Sequence, residues 1–300
     1  MVYYDRIWIE MNVCHVKIWY LIEMIYSSII RIFILFAILS SIYPQSRSIM
    51  SYNIRYDNSW DVENSWGIRK NDVRRILFKY NPSIIGIQEG LINQVQYLDS
   101  CLIKYDYIGV GRNDGKEQGE FCAIYFDTTQ YDVIQHSTFW LSETPNTISV
   151  GWDAALERIC TFGLFKDKNT EREFWVFNTH FDHIGDIARE QSSVLILKKI
   201  IKINPRSLPM ILMGDFNSIP NSPSIKKIKT ELSDALQISL EDLNGPIGTY
   251  NGFNTDSPTV KRIDYIFTKD IKVLSYIHIN ERLNNNRHIS DHLPVMIKIQ

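Results

Sequence analysis

The chain has 300 residues, 45% hydrophobic and 22% charged, with a net charge of −2 at pH 7. That suffices for one large globular domain or two small ones, and no global basic field marks it as a non-specific nucleic-acid binder. Four cysteines (Cys14, Cys101, Cys122, Cys160) form no CxxC pair and no ligand spacing with the seven histidines, which argues against a zinc site or a disulfide framework.

Residues 1–46 differ from the rest. The stretch 32–43, IFILFAILSSIY, carries no charge and follows Arg31; it is too short for a standard membrane span and fits the apolar core of a secretory signal, with Met24 as an alternative start. A signal peptide or N-terminal anchor is expected over 1–46, which would make the protein secreted, periplasmic or membrane-anchored. The alternative is an untranslated or disordered leader on a cytoplasmic enzyme.

From residue 47 to 300 no repeat, low-complexity tract or linker divides the chain, so one domain is expected. RSIMSYNIRY (47–56) reads as a first strand. GIRKNDVRRILFKY (67–80) reads as an amphipathic helix with Ile68, Val73, Ile76, Leu77 and Tyr80 inward and Arg69 outward, stopped by Asn81-Pro82. SIIGIQE (83–89) is a buried strand, and a helical stretch follows near 91–103. YDYIGVG, FCAIYF, VIQHSTFWL, ICTFGLF and FWVFNTHF read as further strands. Asp186 is the expected N-cap of IAREQSSVLILKKIIKI, and PMILMGDF, RIDYIFT and LPVMIKIQ are the last clear strands. Many of these strands lack a polar face, so the sheets should be covered on both sides.

The polar residues fall at strand ends. In YNIRY, GIQE, FNTHFDH and MILMGDFN they lie at the C-terminal end of an apolar run; in GEFCAIYF, RIDYIF and SDHLPVMI they lie at the N-terminal end. If the two kinds run antiparallel, one edge collects Asn53, Glu89, Glu120, His180, Asp182, Asp215, Asn217, Asp264, Asp291 and His292. So many acids at one edge repel each other unless a cation neutralises them, and oxygen-rich ligation suits Mg²⁺ or Mn²⁺ better than zinc. Two histidines, each close in sequence to an acid, add groups that hold or donate protons near neutral pH. Together they point to attack of water on a phosphorus ester. Taken singly each motif has a plainer explanation: DFN after a strand is an Asx turn, and Glu89 is an acid at the start of a helix.

SYNIRYDN, IIGIQE, NTHFDH, GDFNS, RIDYIF and SDHLPV, in this order from about residue 48 to the C-terminus, resemble the endonuclease/exonuclease/phosphatase superfamily. The resemblance implies a four-layered α/β/β/α sandwich of two mixed β-sheets, the deoxyribonuclease I-like fold, with its active site at one end. It implies Glu89 as the principal Mg²⁺ ligand with Asn53 and Asp291 beside it, Asp215 as the acid that activates water, and Asn217 as the amide that holds phosphate. His292 paired with Asp264 would contact the scissile phosphate, and His180 and Glu120 match the second histidine and acid of the deoxyribonuclease I branch. FWLSETPNTISVGWDAALERICTF (139–162) and GRNDGKEQGEFCAIYF resemble a bacterial, largely uncharacterised subgroup related to carbon-catabolite-repressor-type deadenylases. In that loop Trp152 and Arg158 suit a base and a phosphate, alongside Asp182; equally, Trp152 packs under the loop and Arg158 forms a structural ion pair.

A monomeric metal-dependent phosphodiesterase is therefore expected, with nucleic acid as first substrate, cut internally in DNA or trimmed from the 3′ end of RNA. A phosphorylated lipid headgroup, inositol phosphate or sugar phosphate is the second choice. A non-catalytic binding protein on the same fold is the third, and the full set of acids and histidines argues against it.

Overall fold

The computed structural model describes residues 24–32 and 47–300. Residues 24–32 are helical and exposed, and the rest of the expected leader lies outside the described residues. Among the described residues no helix is long and apolar enough to cross a membrane.

Ser46–Gln300 forms one compact unit with two six-stranded sheets. The first has the order β11-β12-β1-β2-β4-β3, from β1 (Arg47–Asn53), β2 (Ile84–Gln88), β3 (Tyr105–Ile108), β4 (Ile124–Asp127), β11 (Val273–His278) and β12 (Val295–Ile299). The second has the order β5-β6-β7-β8-β10-β9, from β5 (Tyr131–Trp140), β6 (Ile159–Asp167), β7 (Glu173–His180), β8 (Met210–Asp215), β9 (Ser233–Asp234) and β10 (Asp264–Lys269). Both are mixed: β1 with β2 and β7 with β8 run parallel, the other pairs antiparallel.

Strand alternation sorts the apolar side chains into three cores. Ile49, Ile84, Ile124, Ile211 and Ile266 join one core drawn from both sheets, so the sheets pack face to face. Their neighbours Met50, Ile85 and Tyr125 point the other way and meet α1 (Trp66–Tyr80) and α2 (Ile92–Cys101) through Val73, Ile76, Leu77, Val95 and Leu98. Leu212, Tyr265 and Phe267 meet α3 (Asp186–Ile203) and α4 (Pro223–Ile228). Both sheets are thus covered on both faces, the four-layered sandwich expected. Each fully buried Ile, Leu or Phe contributes about 1.5–3 kcal/mol.

Local expectations differ at three points. Ile68 is 48% exposed while Arg69 is fully buried, because Trp66, Arg69, Val73, Ile76 and Leu77 form the inward stripe of α1. The N-cap of α3 is Gly185, and the carboxylate of Asp153 accepts from the first-turn N–H groups of Ile187 (3.3 Å) and Ala188 (2.6 Å), while Asp186 pairs with Arg189. Gly214 lies inside β8, as the strand PMILMGDF implies; at φ +149 a Cβ would stand 2.0 Å from the carbonyl oxygen of Thr179 on β7. Finally β9, β11, α4 and the short α5 (Ala235–Ile238) are elements that the apolar runs did not signal; β11 is a half-buried sheet edge.

Candidate active site

The second sheet delivers three functional side chains in one row. β7 pairs in parallel with β8 so that His180 stands opposite Asp215, and β10 pairs antiparallel so that Asp264 stands opposite the same residue. Two strand C-termini and one N-terminus thereby reach a common edge, as the expected antiparallel arrangement requires. All three side chains are buried.

The first sheet brings its groups at or just past strand ends. Asn53 is the last residue of β1, Glu89 follows β2 with φ +65, and Asp291 and His292 precede β12. The buried guanidinium of Arg69 organises this side: Nη1 donates to the carbonyls of Ile54 and Ile289 (2.9 Å each) and Nη2 to that of Arg55 (3.2 Å). It ties the end of β1 to the loop that carries Asp291 and His292. Ser290 Oγ adds a bond to the Asn53 carbonyl (2.8 Å). Below the site, Asn178 on β7 donates to the carbonyls of Ile87 (2.8 Å) and Ala123 (2.9 Å) and accepts from Gln88 (2.7 Å), clasping the two sheets together.

Asp215 is the hub where the halves meet. Its Oδ2 accepts from Asn53 Nδ2 (3.0 Å) and faces Nε2 of both His180 (3.5 Å) and His292 (3.6 Å); its Oδ1 accepts from the backbone N–H of Asn217 (2.9 Å). That last bond is an Asx turn, with Asn217 at φ +45. The plain reading of DFN and the functional one therefore both hold. Burial raises the Asp215 carboxyl above its usual range, against the donors that face it.

His292 Nδ1 meets Asp264 Oδ2 at 2.9 Å, and its ring packs T-shaped on Tyr250 at 5.1 Å. Burial pulls this histidine's pKa down, but the Asp264 and Asp215 carboxylates outweigh it and hold His292 protonated well above the ordinary value. His180 is the opposite case. Burial and then the Arg158 guanidinium depress it to about 3. Arg158 Nη1 lies 3.1 Å from His180 Nδ1 and can only donate, so Nδ1 is bare and Nε2 carries the proton toward Asp215. In that tautomer the 3.2 Å approach of Asn217 Nδ2 to Nε2 is a contact only, and the amide donates to Phe181 O at 3.0 Å.

Glu120, matched to the acid partner of His180, is held instead by Arg112 in a two-pronged pair (2.8 Å for each oxygen) and lies 3.6 Å from His180 Nδ1. Arg158 takes the place beside the ring that such an acid would fill. Asp182, expected to meet substrate, has Oδ1 accepting from Ile184 and Gly185 N–H (2.9 and 2.8 Å) and Oδ2 paired with Arg158 Nε (3.3 Å). It positions Arg158. Of the two explanations weighed for Arg158, the structural ion pair is the one formed. Trp152 is half-buried at φ +51 on the loop before β6, its N–H bonded to Glu143 (3.2 Å), and the contacts described bring it to none of the other site residues. The sequence reading missed Arg55, Arg69, Arg112, Asn178 and Tyr250. Arg55 lies within SYNIRYDN, and the 3.6-residue stripe of α1 was the available signal for Arg69.

The donor set suits a hard divalent cation. Carboxylate oxygens of Glu89 and Asp215, and of Asp215 and Asp264, lie within 4.8 Å of one another, close enough to share one ion, while His292 as imidazolium and the Nε2–H of His180 offer it no lone pair. Asp264 Oδ1 is buried without a partner. Burial, and after it Glu89, push the Asp291 carboxyl up to about 6 against the pull of His292; a bound cation would favour its ionised form. Arg55 Nη1 offsets part of it, 4.0 Å from Glu89 and 3.8 Å from Asp291, while its fork pairs with Asp61. Asn53 stands beside Glu89 and Asp215, held there by its side-chain bonds. Its Oδ1 accepts from Arg55 N–H (3.0 Å), so Nδ2 faces Glu89 (2.9 Å) and Asp215.

Comparison with known proteins places this geometry among relatives. The profile described as Endonuclease/Exonuclease/phosphatase family matches residues 50–292. A mannosyl-6-phosphatase of Bacteroides thetaiotaomicron superposes with a TM-score of 0.81 at 37% identity, over 85% of this chain and 99% of that one. An uncharacterized protein of Acanthamoeba polyphaga mimivirus is 26% identical over 77% of this chain and 91% of its own. The Ccr4 3′-5′-exoribonuclease subunit of the CCR4-Not complex from Kluyveromyces lactis is 21% identical over 87% of this chain, which spans only 42% of that protein.

Proposed function

Because this chain belongs to the endonuclease/exonuclease/phosphatase family, whose members are divalent-metal-dependent hydrolases of phosphoester bonds, we propose that it is a phosphomonoesterase acting on a small phosphorylated sugar. The observation that carries the reading is the 37% identity to a mannosyl-6-phosphatase over 85% of the chain. The deep burial of Asp215, Asp264, His180 and His292 agrees with it, since a terminal phosphate reaches such a site more easily than one inside a polymer. The sugar phosphate, second choice from the sequence, thus moves ahead of nucleic acid.

Glu89 and Asp291 would hold the metal, and Mg²⁺ fits a carboxylate set; when bound it would supply charge stabilisation to the phosphoryl oxygens. The chain's own groups do the rest. Imidazolium His292, held protonated by Asp264, donates its Nε2–H to a phosphoryl oxygen and stabilises charge as it builds. Asp215, with its carboxyl raised by burial, accepts the proton of the attacking water as the ester P–O bond breaks, and the departing sugar oxygen takes its proton from solvent. Neutral His180 turns its Nε2–H toward Asp215 (3.5 Å) on one side, while Asn53 Nδ2 donates to that carboxylate from the other.

The test is a substrate panel with Mg²⁺ and with chelator: mannose 6-phosphate, inositol phosphates, plasmid DNA and poly-adenylate RNA. Phosphate release from mannose 6-phosphate that chelator abolishes is expected. Cleavage of nucleic acid with none of the sugar phosphates touched would replace this reading with the nuclease one, which the resemblance to the Ccr4 subunit favours.

A further inference from the structure

A cleft of about 430 Å³ opens beside the reacting groups, within the range of small-molecule sites, about 300–1,000 Å³. Asn217 belongs both to it and to the catalytic cluster. Its walls come from the first turn of α3 (Asp186, Ile187, Glu190) and from the segment after β8 (Ile219, Ser222). We propose that this cleft is the subsite for the uncharged, hydroxyl-bearing part of the phosphate ester; the proposal rests on the phosphomonoesterase reading above.

The hydrogen-bonding state of the walls carries the argument. Arg189, the cation that also lines the cleft, is held by the protein itself: it donates to the Asp182 carbonyl (3.0 Å) and pairs with Asp186. Ser224 Oγ is likewise spent on Ser218 Oγ (2.8 Å). Glu190 and Ser222, by contrast, make no side-chain hydrogen bond or ion pair among the described residues, so an acceptor and a donor-acceptor stand free where hydroxyl groups would lie. Ile187 and Ile219, 57% and 50% exposed, offer apolar surface to the C–H face of a ring. Two acids against one cation leave the walls net negative. A second phosphate, as in a nucleic-acid strand, would be repelled there, whereas a neutral polyol would not.

The test uses the full chain with Glu190→Gln and Ser222→Leu. Ser222 is the N-cap of α4 but makes no side-chain cap bond, so its replacement spares the helix a lost cap. Steady-state kinetics on mannose 6-phosphate are read beside the Ki of inorganic phosphate, which fills only the phosphate position. Ser222→Leu is expected to lower kcat/KM about tenfold and Glu190→Gln about threefold to tenfold, with the Ki of phosphate unchanged. Unaltered kcat/KM in both variants, or a parallel loss in phosphate Ki, would overturn the subsite. So would an oligonucleotide whose cleavage Ser222→Leu abolishes, since the cleft would then hold a nucleotide. Failure of the parent reading looks different: the unaltered chain would release no phosphate from any sugar phosphate.

Discussion

In the second sheet His180, Asp215 and Asp264 stand on one row of cross-strand partners, each held by the backbone ladder of the strand that bears it. In the first sheet Glu89, Asp291 and His292 lie past or before strands, and Arg55 and Glu89 sit at positive φ. One half of the site is placed by strand register, which a one-residue slip would move wholesale; the other is placed by a buried arginine and loop hydrogen bonds. The first device is cheap and rigid. The second allows ligands to be aimed individually, but it depends on a charge kept out of water.

The largest effect should come from the hub that the halves share. Asp215→Asn is expected to cut kcat by about 10²–10⁴-fold while leaving the melting temperature close to that of the unaltered chain, because asparagine keeps the Asx turn. Near-normal turnover would remove this acid from the chemistry. Next is the loop half alone. Arg69→Leu orphans the carbonyls of Ile54, Arg55 and Ile289 and should cost about 3–5 kcal/mol in urea unfolding, with weaker metal dependence in whatever folds. A loss below 1 kcal/mol would mean that the loops hold themselves. The clasp between the halves is smaller: Asn178→Ala should cost about 1–3 kcal/mol and raise KM and lower kcat together, as the sheets lose their common reference.

Acid should loosen the first sheet through its own histidine. His278 on β11 is buried, with its pKa lowered to about 4 by burial, and its Nε2 has no partner. The unfolded chain, with an ordinary histidine near 6.5, takes up the proton first, so this stability is complete above about 6.5 and is lost as pH falls toward 4. His288, on the loop before Asp291, is lowered to about 4 by burial and by Arg282 and acts in the same sense. Melting temperatures at pH 7 and pH 5 should differ, and His278→Gln should shrink the difference; a flat profile in the unaltered chain contradicts the assignment.

The same division explains what could be read without coordinates. Strand-end polar residues in MILMGDFN, FNTHFDH and RIDYIF are tied to apolar runs, so His180, Asp215 and Asp264 and sheets covered on both faces followed from pattern, while the four-layered sandwich followed from the resemblance those motifs carry. Glu120 and Asp182 lay in matching motifs, yet their partners Arg112 and Arg158 come from segments 8 and 24 residues away in sequence, and only packing shows the pairing. Arg69 puts a charge into the apolar stripe of α1, which in sequence points it to solvent; only the three carbonyls that its guanidinium reaches explain why it lies inward. β11 escaped because an edge strand buries only part of its length.

The Asx turn at Asp215 has a consequence for lineages that lose the activity. Selection for the turn alone keeps an aspartate or asparagine at this position, and selection for packing keeps Gly214 against Thr179. A descendant that had stopped hydrolysing anything would still spell GDFN or GNFN. The surviving motif therefore testifies to an inherited bend in the backbone, and a living enzyme is better recognised by the pairing of His292 with Asp264, which no turn requires.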